Sequence, residues 1–289
     1  VQPKEEKTIR ISLPGGNLGV AAGIEWRRET VFDDRDPRLD GTITFTDSVT
    51  GVFNGSDVAG TSPSPDTGGA REVYSAFAEV FLPLVSPDMD IPLVEEFNVQ
   101  LAGRIERFSD IDETAMVPRV AASWTTLPGV TFRGAWSEGF RAPNLSTELY
   151  LSGAHFPGNA FVPNPNLRPE TSQTIEGGFA VQRRNVLTQG DRVWVKGAIF
   201  RSNVEDFIDF NLTTASFQAV NVPQARLFGG EIEAGYMSRY VFGTLGASYL
   251  IGENLTTGNS LSSIPAQKLV ATIGGRLPVG AASLESLLP

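Results

Sequence analysis

Hydrophobic and polar residues alternate along many stretches of this chain, with the period of two that is typical of β-strands. The clearest stretch is residues 97–107, where one face is apolar and the other is polar or charged. The apolar face carries Phe97, Val99, Leu101 and Ile105, and the polar face carries Asn98, Gln100, Arg104 and Glu106. The pattern predicts ten strands, at residues 18–28, 72–85, 97–107, 119–126, 130–138, 174–184, 192–204, 226–238, 240–251 and 268–277.

Long polar connections alternate with short turns between these predicted strands. Residues 29–71 are rich in Asp, Gly, Ser, Thr and Pro, and residues 140–170 in Pro, Gly and Asn, so we expect long loops there. Leu127, Pro128 and Gly129 predict a tight hairpin, and no segment predicts a convincing helix. The predicted fold class is all-β, an antiparallel sheet with long outer loops and short periplasmic turns, as in a transmembrane β-barrel.

A soluble sandwich or jelly roll also has alternating faces, so periodicity alone leaves that alternative open. Long strands and the asymmetry between loops and turns favour the membrane barrel. The sequence has no apolar run of about 18 residues, which excludes a membrane-spanning helix. Its mean hydropathy of -0.06 suits strands with one lipid-facing and one water-facing side.

Composition removes several classes of function. The 289 residues carry a formal net charge of -10, which argues against nucleic-acid binding. The absence of cysteine excludes disulfides, thiolate metal sites and a thiol nucleophile. A single histidine and the lack of a G-x-S-x-G motif leave little for a nucleophile and its base, so we do not expect an enzyme.

Two tetrapeptides within residues 140–170 carry a resemblance to a known family. The first box is Phe140, Arg141, Ala142 and Pro143, and the second box is Asn164, Pro165, Asn166 and Leu167. The second box continues into Arg168, Pro169 and Glu170. In these residues the chain resembles the barrel domain of TonB-dependent outer-membrane receptors, whose FRAP and NP[ND]L boxes flank an extracellular loop. Weaker similarity at residues 20–28, 74–80 and 221–229 extends the resemblance over nearly the whole chain.

The resemblance implies that residues 1–289 are part of a plugged barrel of about twenty-two strands. We therefore expect a plug domain and early strands ahead of Val1 and further strands after Pro289. It also implies a bacterial outer-membrane protein, in contact with lipid, that takes up a ferric siderophore, haem or a similar scarce nutrient. The TonB energy-coupling complex would drive uptake by acting on the plug. No resident cofactor is expected, and haem enters only as a transported substrate.

The sequence is also compatible with two other classes of protein. A passive porin-like or adhesin barrel would have the same strands without a plug. A soluble all-β binding module would also alternate, although apolar faces this long would leave exposed patches in water.

The resemblance places the substrate-binding loop at the two boxes and between them. The residues expected there are Phe140, Arg141, Ala142, Pro143, His155, Asn164, Pro165, Asn166 and Leu167. In haem-type receptors of this family a histidine between the boxes is an axial haem ligand, and a neutral imidazole suits iron. The alternative is that His155 is a solvent-exposed loop residue in a receptor for another substrate. For Arg141 we expect a structural role, with its planar fork on carbonyls or carboxylates.

For the other charged residues we expect contact with water and no bound ligand. Asp36, Asp40, Gly41 and Asp47 approach the spacing of a calcium loop, but Arg38 occupies a ligand position, so we expect a solvated acidic loop. On the predicted strands, four charged residues are expected on the water-facing side: Arg104, Glu106, Glu231 and Glu233.

Overall fold

The structure is a computed structural model that describes residues 11–58, 63–150, 153–156, 159–212, 216–261, 264 and 267–276. Strands dominate this part of the chain. They are β1 (Ser12–Leu13), β2 (Gly16–Asn17), β3 (Gly19–Asp33), β4 (Phe45–Thr46), β5 (Phe53–Asn54), β6 (Thr67–Val85), β7 (Glu96–Phe108), β8 (Thr114–Leu127), β9 (Val130–Arg141), β10 (Gly153–Phe156), β11 (Asn159–Val162), β12 (Glu170–Arg184), β13 (Arg192–Leu212), β14 (Ser216–Met237), β15 (Val241–Asn254) and β16 (Lys268–Gly275). Two short helices accompany them, a 3-10 turn at Pro87–Met89 and a π-helix at Leu145–Tyr150.

Ten long strands form an antiparallel meander in which each long strand pairs with the next one along the chain. Their order is β3-β6-β7-β8-β9-β12-β13-β14-β15-β16. Antiparallel neighbours need only a hairpin connection, which is why the chain runs up and down without crossovers between these strands. Within the described residues β10 and β11 extend the sheet to twelve strands. The prediction of ten long antiparallel strands is confirmed.

The apolar faces of the strands point outwards. Ile24 is 89% exposed and Ile273 is 91% exposed, although both lie in regular strands. On the opposite, concave face the sheet lines a cavity of about 950 Å³, and Gln100, Lys196 and Glu233 are among its lining residues. A soluble sheet buries its apolar face, so this reversed distribution is the one found in a partial membrane barrel with a polar interior.

The three longest connections between the long strands all lie at one end of the sheet. Residues 34–66, 142–169 and 255–267 connect strands at one end, which we call the loop end. Short connections such as residues 128–129 and 238–240 lie at the other, the turn end. Gly129 is required in its turn because it has φ 78° and because a Cβ there would clash with the carbonyl oxygen of Gln182. The predicted asymmetry between loops and turns is confirmed.

Buried apolar side chains gather at the loop end. One cluster consists of Leu145, Leu149, Leu167, Ile208 and Ala219. A second consists of Val204, Val222, Ala225 and Leu261. The sheet has an apolar outer face and a polar inner face, so its strands do not enclose an apolar core. The two clusters are local cores that stabilise the loop end of the partial barrel.

The structure corrects several predicted boundaries. The predicted loop at 29–71 is shorter, because β3 continues to Asp33 and β6 already begins at Thr67. The long loop predicted at 140–170 connects β9 to β12, and it also contains the π-helix and the hairpin β10–β11, which its proline, glycine and asparagine content did not predict. No helix in the described part of the chain is both long and apolar enough to cross a bilayer.

Strands β13 and β14 also extend further towards the loop end than their sequence pattern indicated. Pro223 interrupts the pattern of β14 and cannot donate a ladder hydrogen bond. The pairing therefore passes directly from Glu205↔Gln224 to Phe207↔Val222, and Asp206 adopts a left-handed φ of 53°. The Asn221 side-chain amide donates to the Asp206 carbonyl at 2.8 Å, which replaces the donor that proline lacks.

Candidate functional site

The first box begins at the loop end of β9, where aromatic rings support it. The ring of Phe140 stacks on that of Phe108, with centroids 5.5 Å apart. The guanidinium of Arg71 lies 5.5 Å from the centroid of the Phe108 ring. Phe108 is buried, so the stack gives the first box a fixed apolar floor.

The side chain of Arg141 links strands β9 and β12 to the π-helix that lies between them in the chain. Its Nε and Nη2 donate to the two carboxylate oxygens of Glu170, both at 2.8 Å, and its Nη1 donates to Oε1 of Glu148 at 2.9 Å. The Glu148 and Glu170 side chains are only 8% and 12% exposed. A bidentate pair plus a second carboxylate uses the planar fork that lysine lacks, so Arg141 acts as a structural tie.

Pro143 is fully buried at the end of the first box, and Ala142 beside it is half-buried. The carbonyl oxygen of Pro143 accepts a hydrogen bond from Nη1 of Arg71 at 2.9 Å, and Nε of Arg71 donates to Glu29 at 2.7 Å. The sequence pattern places Arg71 at the margin of a polar loop and does not indicate this role. A lone arginine far away along the chain carries no local signal for such a contact.

The second box closes the other end of the segment. Nδ2 of Asn164 donates to the carbonyl of Ala219 at 2.8 Å, and its backbone N–H donates to the carbonyl of Glu148 at 3.3 Å. Leu167 lies in the buried cluster with Leu145, while Pro165 and Asn166 are exposed. The two boxes therefore form one connected base, and within it Pro165 and Asn166 are open to solvent.

Asn221 on β14 holds the chain just after the second box. Its Oδ1 accepts from the backbone N–H of Arg168, and its Nδ2 donates to the Arg168 carbonyl, both at 2.9 Å. The side chain thus pairs with both backbone groups of one residue, as a neighbouring strand would. Arg168 adds an ion pair with Asp206.

His155 lies in β10, on the hairpin between the two boxes. Strand β11 of this hairpin pairs in parallel with the loop end of β14, through Ala160↔Ser216 and Val162↔Gln218. The backbone of the hairpin is therefore attached to the wall beside the second box. The side chain of His155 lies outside the described part of the structure.

In the acidic loop, residues 34–66, three of the carboxylates close local turns. Asp36 and Asp40 each accept a backbone N–H two residues onward, and Asp47 accepts those of Val49 and Thr50. The hydrogen bonds from Thr50 and Val49 lower the pKa of Asp47 below its usual value. Among the described residues no group of three acidic, histidine or cysteine side chains could hold a metal ion.

The four charged residues predicted for the water-facing side lie on the concave face of the sheet. Arg104 pairs with Glu25 and Glu106, and Glu233 pairs with Lys196 at 3.1 Å. Glu231 lines the same cavity. These groups make the interior of the partial barrel polar.

The sequence of this chain is similar to a protein family and to several known proteins. The sequence model of the family described as TonB dependent receptor-like, beta-barrel, matches residues 7–282. Heme/hemopexin utilization protein C of Haemophilus influenzae (strain 86-028NP) is 31% identical over 172 residues, covering 53% of this chain and 24% of that protein. The hemin receptor of Yersinia pestis is 29% identical over 174 residues, covering 56% of this chain and 26% of that protein. The chain thus spans about a quarter of the length of these relatives.

Solved structures share the fold at low sequence identity. The hemophore receptor HasR of Serratia marcescens, in complex with its hemophore HasA and heme, superimposes with a TM-score of 0.66 at 17% identity, over 93% of this chain and 48% of that chain. The siderophore receptor PirA of Pseudomonas aeruginosa gives a TM-score of 0.56 at 18% identity, over 89% of this chain and 39% of that chain.

Proposed function

Because the chain belongs to the TonB-dependent receptor family, by the β-barrel domain of that family, we propose that it forms part of the wall and of the substrate-binding mouth of an outer-membrane receptor for haem. The intact receptor takes up its substrate in an energy-coupled manner. The partial barrel supports this proposal with an apolar outer face that suits lipid and a polar interior that suits a plug.

The observation that carries haem as the substrate is the position of His155 on a wall-attached hairpin between the two boxes. A neutral imidazole nitrogen is a ligand for haem iron. The curated relatives named above, a heme/hemopexin utilization protein and a hemin receptor, favour haem over a ferric siderophore. Haem is cargo in this proposal, and the chain holds it without catalysing a reaction.

The two boxes have a supporting part in this mechanism. Arg141, Pro143 and Asn164 are engaged with the wall, so they fix the base from which the hairpin reaches the substrate. Arg141 is also exposed but is held by Glu148 and Glu170, so the exposed Asn166 and Pro165 are the box residues that we assign to direct contact with a ligand. A plug in the barrel and the TonB energy-coupling complex acting on it complete the receptor in this proposal.

A haem titration of the full-length receptor, followed at the Soret band, tests the proposal. We expect His155→Ala to weaken haem binding at least about tenfold and to shift the Soret maximum, because an axial ligand is lost. Phe53→Ala in the acidic loop is the control, since Phe53 is 66% exposed on the same end of the sheet. Unchanged affinity in His155→Ala would overturn the haem assignment.

A further inference from the structure

Glu148 is a buried carboxylate to which neither the sequence pattern nor the proposed function gives a role. It is buried and lies in the π-helix Leu145–Tyr150, shortly before the hairpin β10–β11 in the chain. A buried acidic residue is costly unless it is paired and hydrogen-bonded. Its contacts therefore indicate what this position does.

The contacts of Glu148 reach both boxes. Its side chain accepts from Nη1 of Arg141, in the first box, at 2.9 Å and from the backbone N–H of Asn144, the residue after that box, at 2.7 Å. Its backbone carbonyl accepts from the N–H of Asn164 at 3.3 Å, the first residue of the second box. Glu148 thus connects the two ends of the loop that contains the hairpin.

The π-helix itself is held in place from several sides. Leu145 and Leu149 lie in the buried cluster with Leu167, and Val31 of β3 packs against that cluster. The helix contacts β3 and β6 on one flank of the concave mouth and β14 on the other. Because its backbone is fixed in this way, the carboxylate of Glu148 is presented to the boxes in one orientation.

We propose that Glu148 is a positioning residue for the hairpin β10–β11. By joining the first box to the second, it sets where the hairpin leaves the mouth and hence where the backbone of His155 lies. The link from this position to haem affinity rests on the proposed function. The positioning itself does not, since it concerns the order of the hairpin without ligand.

The structure offers a selective variant for the test. In Glu148→Gln the side chain keeps its size, but one acceptor oxygen becomes an NH₂ donor, which must face either Arg141 or the N–H of Asn144. Arg141 keeps its bidentate pair with Glu170, so the substitution leaves no unpaired buried cation. Glu176→Gln is the matched control, because Glu176 also pairs with an arginine, Arg119, but is 48% exposed.

Amide hydrogen exchange of the full-length receptor without ligand decides the proposal. We expect the hairpin amides at 153–156 and 159–162 to exchange about tenfold faster in Glu148→Gln, the change that loss of one net hydrogen bond gives. Exchange in β9 and β12 is expected to stay as in the wild type, and Glu176→Gln to match the wild type throughout. Hairpin exchange at the wild-type rate, or an equal rise over the whole sheet, would overturn the proposal.

Two further measurements keep this result separate from the haem assignment. Glu148→Asp keeps the charge but is too short for both contacts, so it should also speed hairpin exchange; it serves as the second variant if Glu148→Gln folds poorly. In haem titrations Glu148→Gln should bind about tenfold more weakly while its saturated Soret maximum stays that of the wild type, because the axial ligand is intact. A receptor that does not bind haem would end the proposed function, while the exchange data would still decide the role of Glu148.

Discussion

The acidic loop and the two-box segment, residues 140–170, lie at the same end of the sheet. Their hydrogen bonds differ in how far apart along the chain the bonded residues are. In the acidic loop, Asp40 and Asp47 bind N–H groups two or three residues away. In the two-box segment, Pro143 accepts from Arg71 across 72 residues, and Arg168 pairs with Asn221 across 53. The first is held by local turns and by hydrogen bonds within its own residues 34–66, and the second is a base built by distant strands. A hairpin that must present a ligand at a fixed place needs the second kind of support.

The largest test of this contrast removes Arg141. In Arg141→Ala the nearly buried carboxylates of Glu148 and Glu170 lose their shared cation, so we expect the free energy of unfolding to fall by about 3 kcal/mol. Arg38→Ala is the counterpart in the acidic loop, where the pair with Asp57 spans 4.0 Å and is exposed; we expect about 0.5 kcal/mol or less. Urea unfolding of the full-length receptor in detergent measures both, and equal losses would contradict the contrast.

A second test concerns the buried cluster beneath the boxes. Leu167 is 8% exposed, so Leu167→Ala should cost about 2–3 kcal/mol, at the lower end for a core leucine because the cluster is small and near the surface. Phe53→Ala in the acidic loop should change stability little, since its ring is already in solvent. Limited proteolysis within residues 142–169 should accelerate only in the leucine variant.

A third test compares two asparagines. Asn221→Ala removes both bonds to the backbone of Arg168 and the donor to Asp206, so we expect a loss of about 1–2 kcal/mol and faster exchange of the Arg168 amide. Asn54→Ala in the acidic loop removes only a local bond to Val52. If the two variants lose equal stability, Asn221 is not an anchor of the second box.

The smallest effect is a dependence on pH confined to the acidic loop. The folded pKa of Asp47 lies below its reference value of 3.8, because the N–H groups of Thr50 and Val49 favour the charged form. Its contribution is therefore complete above about pH 4 and is lost as the pH falls through the lowered folded pKa. We expect the amides of Val49 and Thr50 to lose exchange protection only under that acidic condition. Asp47→Asn should remove this pH dependence.

Several features of the site could be predicted because their signal lies within a few residues. The two boxes identify the segment through Pro143 and Asn164. The planar fork of Arg141 predicts a tie to carbonyls or carboxylates, and in the structure its partners are the carboxylates of Glu170 and Glu148. The roles of Arg71 and Asn221 could not be predicted. Each is an ordinary polar residue on a strand, and only strand order brings it to the boxes.

The sequence by itself determined the strands, their two faces and the difference between loops and turns. Strand periodicity and turn chemistry depend on neighbouring residues, so they can be detected without a fold. Tertiary structure alone decided that Leu145–Tyr150 is a π-helix and that Glu148 joins the two boxes. It also decided that β14 includes Pro223 and that β13 continues beyond the residues opposite that proline. These features depend on packing and hydrogen bonds between residues far apart in the chain, and such contacts exist only once the sheet has curved and brought its strands around one mouth.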